Sequence, residues 1–381
     1  MRAPFLLLLA LLAALLAAAS GLDLHRLSQP VAGQAFNDAD TVDTLREMVR
    51  IESISGNELR MSQWLADRLM GAGWDVEQQQ VEPSRYNVLA YHPANRHRLK
   101  ALFSSHIDTV PPFLPFSENA ETMFGRGTAD AKGSVSAMIH AAESLNSTIA
   151  AVEGVIDPTQ LGLLFVVGEE VNHIGMRHAN ELNLHSVEHF VSGEPTESLL
   201  AVGHKGMWKF RLEIFGRAAH SGYPHLGESA ISPMLDLLRE LNTMALPVSD
   251  LLGPTTLNIG ILGGGVAANV VPDYASAEIM VRVSTNLAEV KTLIERVVRD
   301  RATITDLSEN EPFICDTIPG FNTTIVAYNT DLPFFEGDHK SYLLGPGSIT
   351  VAHTDDEQIS KRELVDAVGL FRRMAVHMLA Q

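Results

Sequence analysis

Five stretches of this chain set histidines and carboxylates where they could do chemistry. His106 and Asp108 stand in Ser105-His106-Ile107-Asp108-Thr109-Val110, at the end of a predicted strand, where a period of two puts both side chains on one face. A neutral imidazole is a good zinc ligand, and a carboxylate two residues on can accept its other N–H. Taken alone, the pair reads as readily as a hydrogen-bonded surface couple. Asp130 stands in Gly125-Arg126-Gly127-Thr128-Ala129-Asp130-Ala131-Lys132-Gly133, just before a predicted helix. The glycines permit close backbone approach, an N-cap is the bland alternative, and the spacing is not that of a phosphate-cradling loop. Glu169 and Glu170 follow the apolar run 161–167. Two adjacent carboxylates at the end of a buried strand are electrostatically awkward unless a cation compensates them, and a solvated acidic turn is the bland alternative. On extended chain they point in different directions, so one can bind a metal while the other addresses a water. Glu194 follows Ser192-Gly193, and His353 opens His353-Thr354-Asp355-Asp356-Glu357 after Gly345-Pro346-Gly347.

The set says more than its members. His106, Asp130, Glu169-Glu170 and Glu194 fall at predicted strand ends or in the loops that follow, where an open α/β sheet places its ligands. Two histidines and three carboxylates can hold two Zn2+ if one carboxylate bridges. Such a site is net positive and suits a substrate bearing a free carboxylate.

The elements that must position these residues alternate. Helices are predicted over 42–53, 57–70 and 131–145, and strands over 87–92, 101–107, 161–167 and 189–192, which is the pattern of an α/β sheet. The texture changes after about residue 206. Residues 207–215 alternate as a half-exposed strand does. A helix over 228–242, strands near 255–262 and 274–284 and a helix over 287–299 follow, which suggests an inserted α+β domain. A strand over 341–344 and a helix over 360–379, with Leu364, Val368, Phe371, Met374 and Met378 on one stripe, return the chain to its first habit. The expected organisation is a catalytic domain in two parts, 35–205 and 311–381, around an inserted domain at 206–310.

Composition bounds the rest. The 381 residues carry a formal charge of −18, which argues against nucleic acid and against an anionic lipid surface. Hydrophobic residues at 46% and charged residues at 19% are a globular balance. A single cysteine, Cys315, excludes an intrachain disulfide framework and any cysteine-based zinc cluster. Arg2, the Leu/Ala run from Phe5 to Ala19 and the small residues Ser20-Gly21 read as a signal peptide cleaved near residue 20, shorter than the roughly 20 apolar residues a membrane span needs. The expected location is extracellular. Asn146-Ser147-Thr148 and Asn322-Thr323-Thr324 are acceptor sequons for glycans on Asn146 and Asn322. A Gly-x-Ser-x-Gly elbow in a strand–helix setting, the mark of many serine hydrolases, is absent.

Jointly and in order, His106-Ile107-Asp108-Thr109-Val110, the 125–133 stretch, Gly168-Glu169-Glu170, Gly193-Glu194-Pro195-Thr196, Gly216-Arg217-Ala218-Ala219-His220-Ser221 and Ala352-His353-Thr354-Asp355-Asp356-Glu357 resemble the motifs of metallopeptidase family 20. These co-catalytic zinc enzymes include acetylornithine deacetylase, succinyl-diaminopimelate desuccinylase, aminoacylases and glutamate-type carboxypeptidases. The resemblance covers nearly all of the chain after the leader. It implies two zinc ions per subunit, with Co2+ able to substitute. His106 and Glu194 would hold one, Glu170 and His353 the other, and Asp130 would bridge them. Asp108 would orient His106, and Glu169 would be the general base, taking a proton from the attacking water and passing it to the leaving nitrogen. The 206–310 domain would act as a lid and dimerisation domain. From it His220 would reach across a two-fold homodimer to the partner's oxyanion, and Asn269 and Arg282 would hold the substrate carboxylate. Gly347 would add a backbone N–H. The implied substrate is a small peptide or an N-acyl amino acid. Glu194-Pro195-Thr196 and His204-Lys205-Gly206 look most like acetylornithine deacetylase, whereas the leader favours a secreted carboxypeptidase or aminoacylase. A non-catalytic binding protein keeping the fold is the remaining alternative, against which stands the presence of the whole ligand set.

Overall fold

The computed structural model describes residues 23–31 and 37–381. The expected signal peptide, and residues 35–36 at the expected start of the catalytic part, lie outside them. The chain divides into two units. The first comprises Met1–Val202, Cys315–Thr324 and Phe334–Gln381, and the second Gly203–Ile314 and Ile325–Pro333. Beyond the expected 206–310, the second unit takes in residues 203–205, 311–314 and 325–333. The buried Thr330 side chain explains part of the excursion, since its hydroxyl meets Nε2 of the buried His204 at 3.1 Å.

In chain order the principal elements are α1 (Asp38–Arg50), α2 (Leu59–Gly71), β1 (Asp75–Glu82), β2 (Arg85–Tyr91), β3 (Ala101–His106), α3 (Lys132–Ser144), β4 (Leu161–Val166), α4 (Glu169–Asn172) and β5 (His189–Ser192). The second unit contributes β6 (Gly206–Phe215), α5 (Ile231–Thr243), β7 (Thr256–Gly264), β8 (Tyr274–Val283), α6 (Leu287–Val298) and β9 (Thr303–Asn310). The chain closes with β10 (Lys340–Leu343) and α7 (Lys361–Leu379).

The first unit is built on a six-stranded mixed sheet in the order β1-β2-β4-β3-β5-β10. β4 pairs parallel with β3, β3 with β5 and β5 with β10, while β1 and β2 run antiparallel at one edge. β3 and β4 are buried at every position, as expected of strands covered on both faces. The stripe of α7 and the apolar positions Leu45, Met48 and Val49 of α1 belong to the same core as Phe103 and Phe165. β1 was not expected. Its Gln78-Gln79-Gln80 run has no apolar alternation, and only Val81 is buried, so its backbone ladder with β2 holds it.

The second unit packs α5 and α6 with a four-stranded antiparallel sheet in the order β7-β8-β6-β9. Trp208, Phe210, Leu212 and Ile214 alternate along β6 into that core. β9 is the polar edge strand that the sequence pattern does not announce.

Back in the first unit, the chain after Pro112 contributes to a small three-stranded sheet. Ser117–Glu118 pairs with Thr122–Phe124, which pairs with Gln358–Ser360. Glu118 locks it to two helices, accepting from Arg46 Nε of α1 at 2.8 Å and meeting Lys361 Nζ of α7 at 2.7 Å. Hydrogen bonds from Arg46 and then Lys361 hold the Glu118 carboxyl down at about 2, from an ordinary 4.5. A carboxyl depressed by folding stabilises the fold above its unfolded value, and that contribution is lost as pH falls through about 4.5 towards 2. Glu118→Gln should therefore lower the melting temperature at pH 7, and the gap to wild type should narrow steadily in melts at pH 5, 4 and 3. A gap that stayed constant to pH 3 would contradict the assignment.

Candidate metal centre

Parallel pairing gathers the carboxyl ends of β3, β4 and β5. His106 lies opposite Val166, and Ser104 opposite Ser192. Each strand then delivers a ligand candidate: His106 at the end of β3, Glu169 and Glu170 just after β4, Glu194 just after β5. Asp130 arrives from the loop before α3, and His353 from the segment before the Gln358–Ser360 strand.

The side chains converge. His106 Nε2 is 3.0 Å from Asp130 Oδ1 and 3.8 Å from Glu194 Oε2. His353 Nε2 is 3.2 Å from Asp130 Oδ2 and 3.0 Å from Glu170 Oε2. Two groups that share Asp130 result, His106/Asp130/Glu194 and Asp130/Glu170/His353, each offering one ligand atom per residue within 4.8 Å of the others. Asp130 belongs to both, one oxygen facing each histidine. His106, Asp130 and Glu194 are buried, and His353 is exposed. His353 also holds a left-handed φ of 62°, uncommon for a residue with a Cβ.

The electrostatics call for positive charge here. Burial alone would lower the His106 pKa, but Glu194, Asp108 and Asp130 overcome it and hold it well above the ordinary value. Hydrogen bonds to Asp130 and Glu170 push His353 up to about 10. Burial, then the neighbouring Asp130, pushes Glu170 up to about 7. Burial would raise Asp130 too, yet the two imidazoles hold it well below the usual carboxylate range. Two imidazoles and three carboxylates, borderline and hard donors with one shared between the groups, are a donor set that fits a pair of divalent ions.

Two expectations about these residues are corrected. His106 Nδ1 is hydrogen-bonded to the Asp108 backbone carbonyl at 2.9 Å, while the Asp108 carboxylate is 3.6 Å away, beyond a hydrogen bond. Asp108 orients His106 through its main chain. Its carboxylate has better donors in Ser55 Oγ at 2.7 Å and the backbone N–H groups of Glu169 at 3.1 Å and Glu170 at 3.3 Å. Those amides explain the second correction. Glu169 and Glu170 are not on extended chain but open the single-turn helix α4 after Gly168, whose φ is 76°. Asp108 caps that turn from the segment that follows β3, satisfying N–H groups that a helix start leaves unpaired. Successive helical side chains still diverge, so the two carboxylates keep separate directions.

Residues 202–305 match the peptidase dimerisation domain of the M20 family. A peptidase M20 domain-containing protein of Schizosaccharomyces pombe is 40% identical over 341 residues, covering 88% of this chain and 84% of that protein. A probable carboxypeptidase of Aspergillus clavatus is 39% identical, covering 91% and 85%. The chain belongs to the M20 peptidase family. Among solved structures, a tripeptidase of Staphylococcus aureus matches with a TM-score of 0.73 at 22% identity, over 91% of this chain and all of that one. A dinuclear metal-binding M20 peptidase of Bacillus subtilis matches at 0.66 and 15%, over 90% and 98%. This M20 chain is a hydrolase with the mixed α/β fold and inserted domain of its relatives.

The remaining candidates of this M20 chain divide between the units. Gly347 is corrected: its N–H is already donated to Glu363 Oε1 at 2.9 Å, so it is not offered to a substrate. In the second unit, His220 and Asn269 come together at a two-stranded ribbon in which Ala219–His220 pairs with Val270–Val271, and Ser221 N–H donates to the Asn269 carbonyl at 2.9 Å. Gly222 N–H donates to His220 Nδ1 at 3.1 Å, which leaves Nε2 as the protonated, donating nitrogen of an exposed ring. Arg282 lies near the end of β8, opposite Thr256 of β7 and Met207 of β6. Asn146 and Asn322 are both exposed.

Sequence reasoning passed over several supporting residues. Ser55 carries no local signal, because its partner Asp108 is 53 positions away. His173 does carry one: it stands four residues after Glu169, with Nδ1 3.5 Å from Glu169 Oε1 and its ring stacked on Phe334. Lys132 is fully buried and donates to the Met48 and Ile51 carbonyls at the end of α1. Removing the shortest bond to the Asp108 carboxylate should loosen α4. Ser55→Ala is expected to lower kcat about tenfold or more while bound metal stays at the wild-type level, as outer-shell partners do. Steady-state kinetics beside metal analysis checks this, and an unchanged kcat would remove Ser55 from the support.

Proposed function

We propose that this chain is a secreted, dinuclear zinc-dependent carboxypeptidase that cleaves the last amide bond of small peptides bearing a free C-terminal carboxylate. The observation that carries the reading is the Asp130 carboxylate shared between two groups of ligands. The curated relatives bearing a carboxypeptidase name, and the dinuclear centre named for the Bacillus subtilis neighbour, support it.

His106 and Glu194 would hold one ion, Glu170 and His353 the other, and Asp130 both. Two bound zinc ions would acidify a water and polarise the scissile carbonyl. Glu169 then takes the proton from the attacking water and gives it to the leaving nitrogen, as a base that reaches the water and not the metal. Asp108 holds the Glu169 backbone while this happens.

The second unit supplies the rest of the reading. β7 is an edge strand, and Leu235, Ile261 and Leu262 are exposed around it and α5. A second copy of the chain covers this apolar edge in the proposed homodimer, and His220 donates from Nε2 to the oxyanion in the partner's site. Asn269 and Arg282 are the proposed holders of the substrate carboxylate. The Leu/Ala leader supports secretion, and the exposure of Asn146 and Asn322 is compatible with glycans there. Among the described residues no helix is long and apolar enough to cross a membrane.

A hydrolysis screen over C-terminally varied dipeptides and N-acyl amino acids separates the carboxypeptidase from the deacylase alternative. Activity should vanish with chelator and return with Zn2+ or Co2+. Glu169→Gln should lower kcat about a hundred- to ten-thousand-fold, with metal content retained. Near-normal turnover by that variant would show that the base lies elsewhere, and turnover of N-acyl amino acids alone would replace the carboxypeptidase with the deacylase.

A further inference from the structure

Asp130 can face two cation subsites only if its backbone is held still, yet it stands in an irregular stretch between the Thr122–Phe124 strand and α3. Irregular backbone leaves N–H groups that need partners. Here they converge on one buried side chain. Glu357 Oε1 accepts from Gly127 N–H at 2.9 Å, from Ala129 N–H at 3.1 Å and from Asp130 N–H at 3.1 Å. Its other oxygen, Oε2, takes Arg126 Nη1 at 2.6 Å. Both Glu357 and Arg126 are about 1% exposed.

The pair also reaches the other side of the centre. Arg126 Nη1 donates to the carbonyl of Thr354, the residue after His353, at 3.2 Å. Gly125 N–H donates to the Glu357 carbonyl at 3.1 Å, continuing the register in which Phe124 pairs with Gln358. One ion pair thus fixes the loop that carries the bridging carboxylate and the loop that carries the exposed histidine.

We propose that Arg126 and Glu357 are positioning residues that set the spacing between the two cation subsites by clamping the Asp130 loop and the His353 loop to each other. The inference rests on the dinuclear reading above. The His106/Asp130/Glu194 group has a second anchor, because His106 is the last residue of a strand buried at every position. The Asp130/Glu170/His353 group has only the short α4 turn and the clamped loop. Loss of the clamp therefore falls on the second ion. A purely structural ion pair would change stability and leave the affinity ratio of the two ions alone.

The test titrates the metal-free full chain with Zn2+ against a chromophoric chelator and records the melting temperature of the metal-free protein. Wild type should take up two ions. Glu357→Gln keeps the size but loses the charge and one accepting end. It should bind the first ion within about threefold of wild type and the second 10- to 100-fold more weakly, the range found for outer-shell partners. Glu357→Asp keeps the charge but is one methylene short of the three amides, so the same selective loss is expected. It serves if Glu357→Gln does not fold. Either folded variant binding both ions with wild-type affinity, or losing both equally, overturns the positioning role while the dinuclear reading stands. A wild-type chain that takes up fewer than two ions overturns both together.

Discussion

One carboxylate shared by two imidazoles organises this structure. Asp130 offers Oδ1 to His106 and Oδ2 to His353, and neither histidine reaches the other's group except through it. Three carboxylates brought this close repel one another, and burial makes the repulsion more costly. The cluster is stable only where cationic charge is drawn in, which is why the two imidazoles are pushed towards protonation. A site that requires positive charge, with donors suited to divalent ions, is the physical basis for every functional statement about the chain.

The surroundings answer that constraint in two ways. Parallel strands bring the carboxyl ends of three chain segments to one edge of the sheet. Carboxylates outside the ligand groups then fix what the strands leave loose. Asp108 caps the turn that carries Glu169 and Glu170, and Glu357 gathers the amides of the Asp130 loop. In both cases an acidic side chain from one segment satisfies backbone N–H groups of another. The acidic residues near the centre therefore do different work: some face the cation positions and others hold backbone.

The ligand candidates were legible because each follows an apolar strand or a glycine-rich turn, and because their order along the chain is that of a known family. The buried strands β3 and β4 and the stripe of α7 were legible from hydrophobic pattern alone. β1 and β9 were not, since an edge strand held by its ladder shows no alternation to read. Partner choice was least legible. Nothing local told that the Asp108 carboxylate would prefer the amides of residues 61 and 62 positions away to the neighbouring imidazole. Nor did the sequence disclose that Glu363 would occupy the Gly347 N–H, or that residues 325–333 would leave the first unit for the second.

The claim that Asp130 bridges two ions is tested most directly by diffraction at the zinc absorption edge, on crystals of the full chain grown with Zn2+. Two anomalous peaks roughly 3.5 Å apart should flank the Asp130 carboxylate, one beside His106 and Glu194, the other beside Glu170 and His353. A single peak, or peaks that leave Asp130 uncoordinated, would contradict the account.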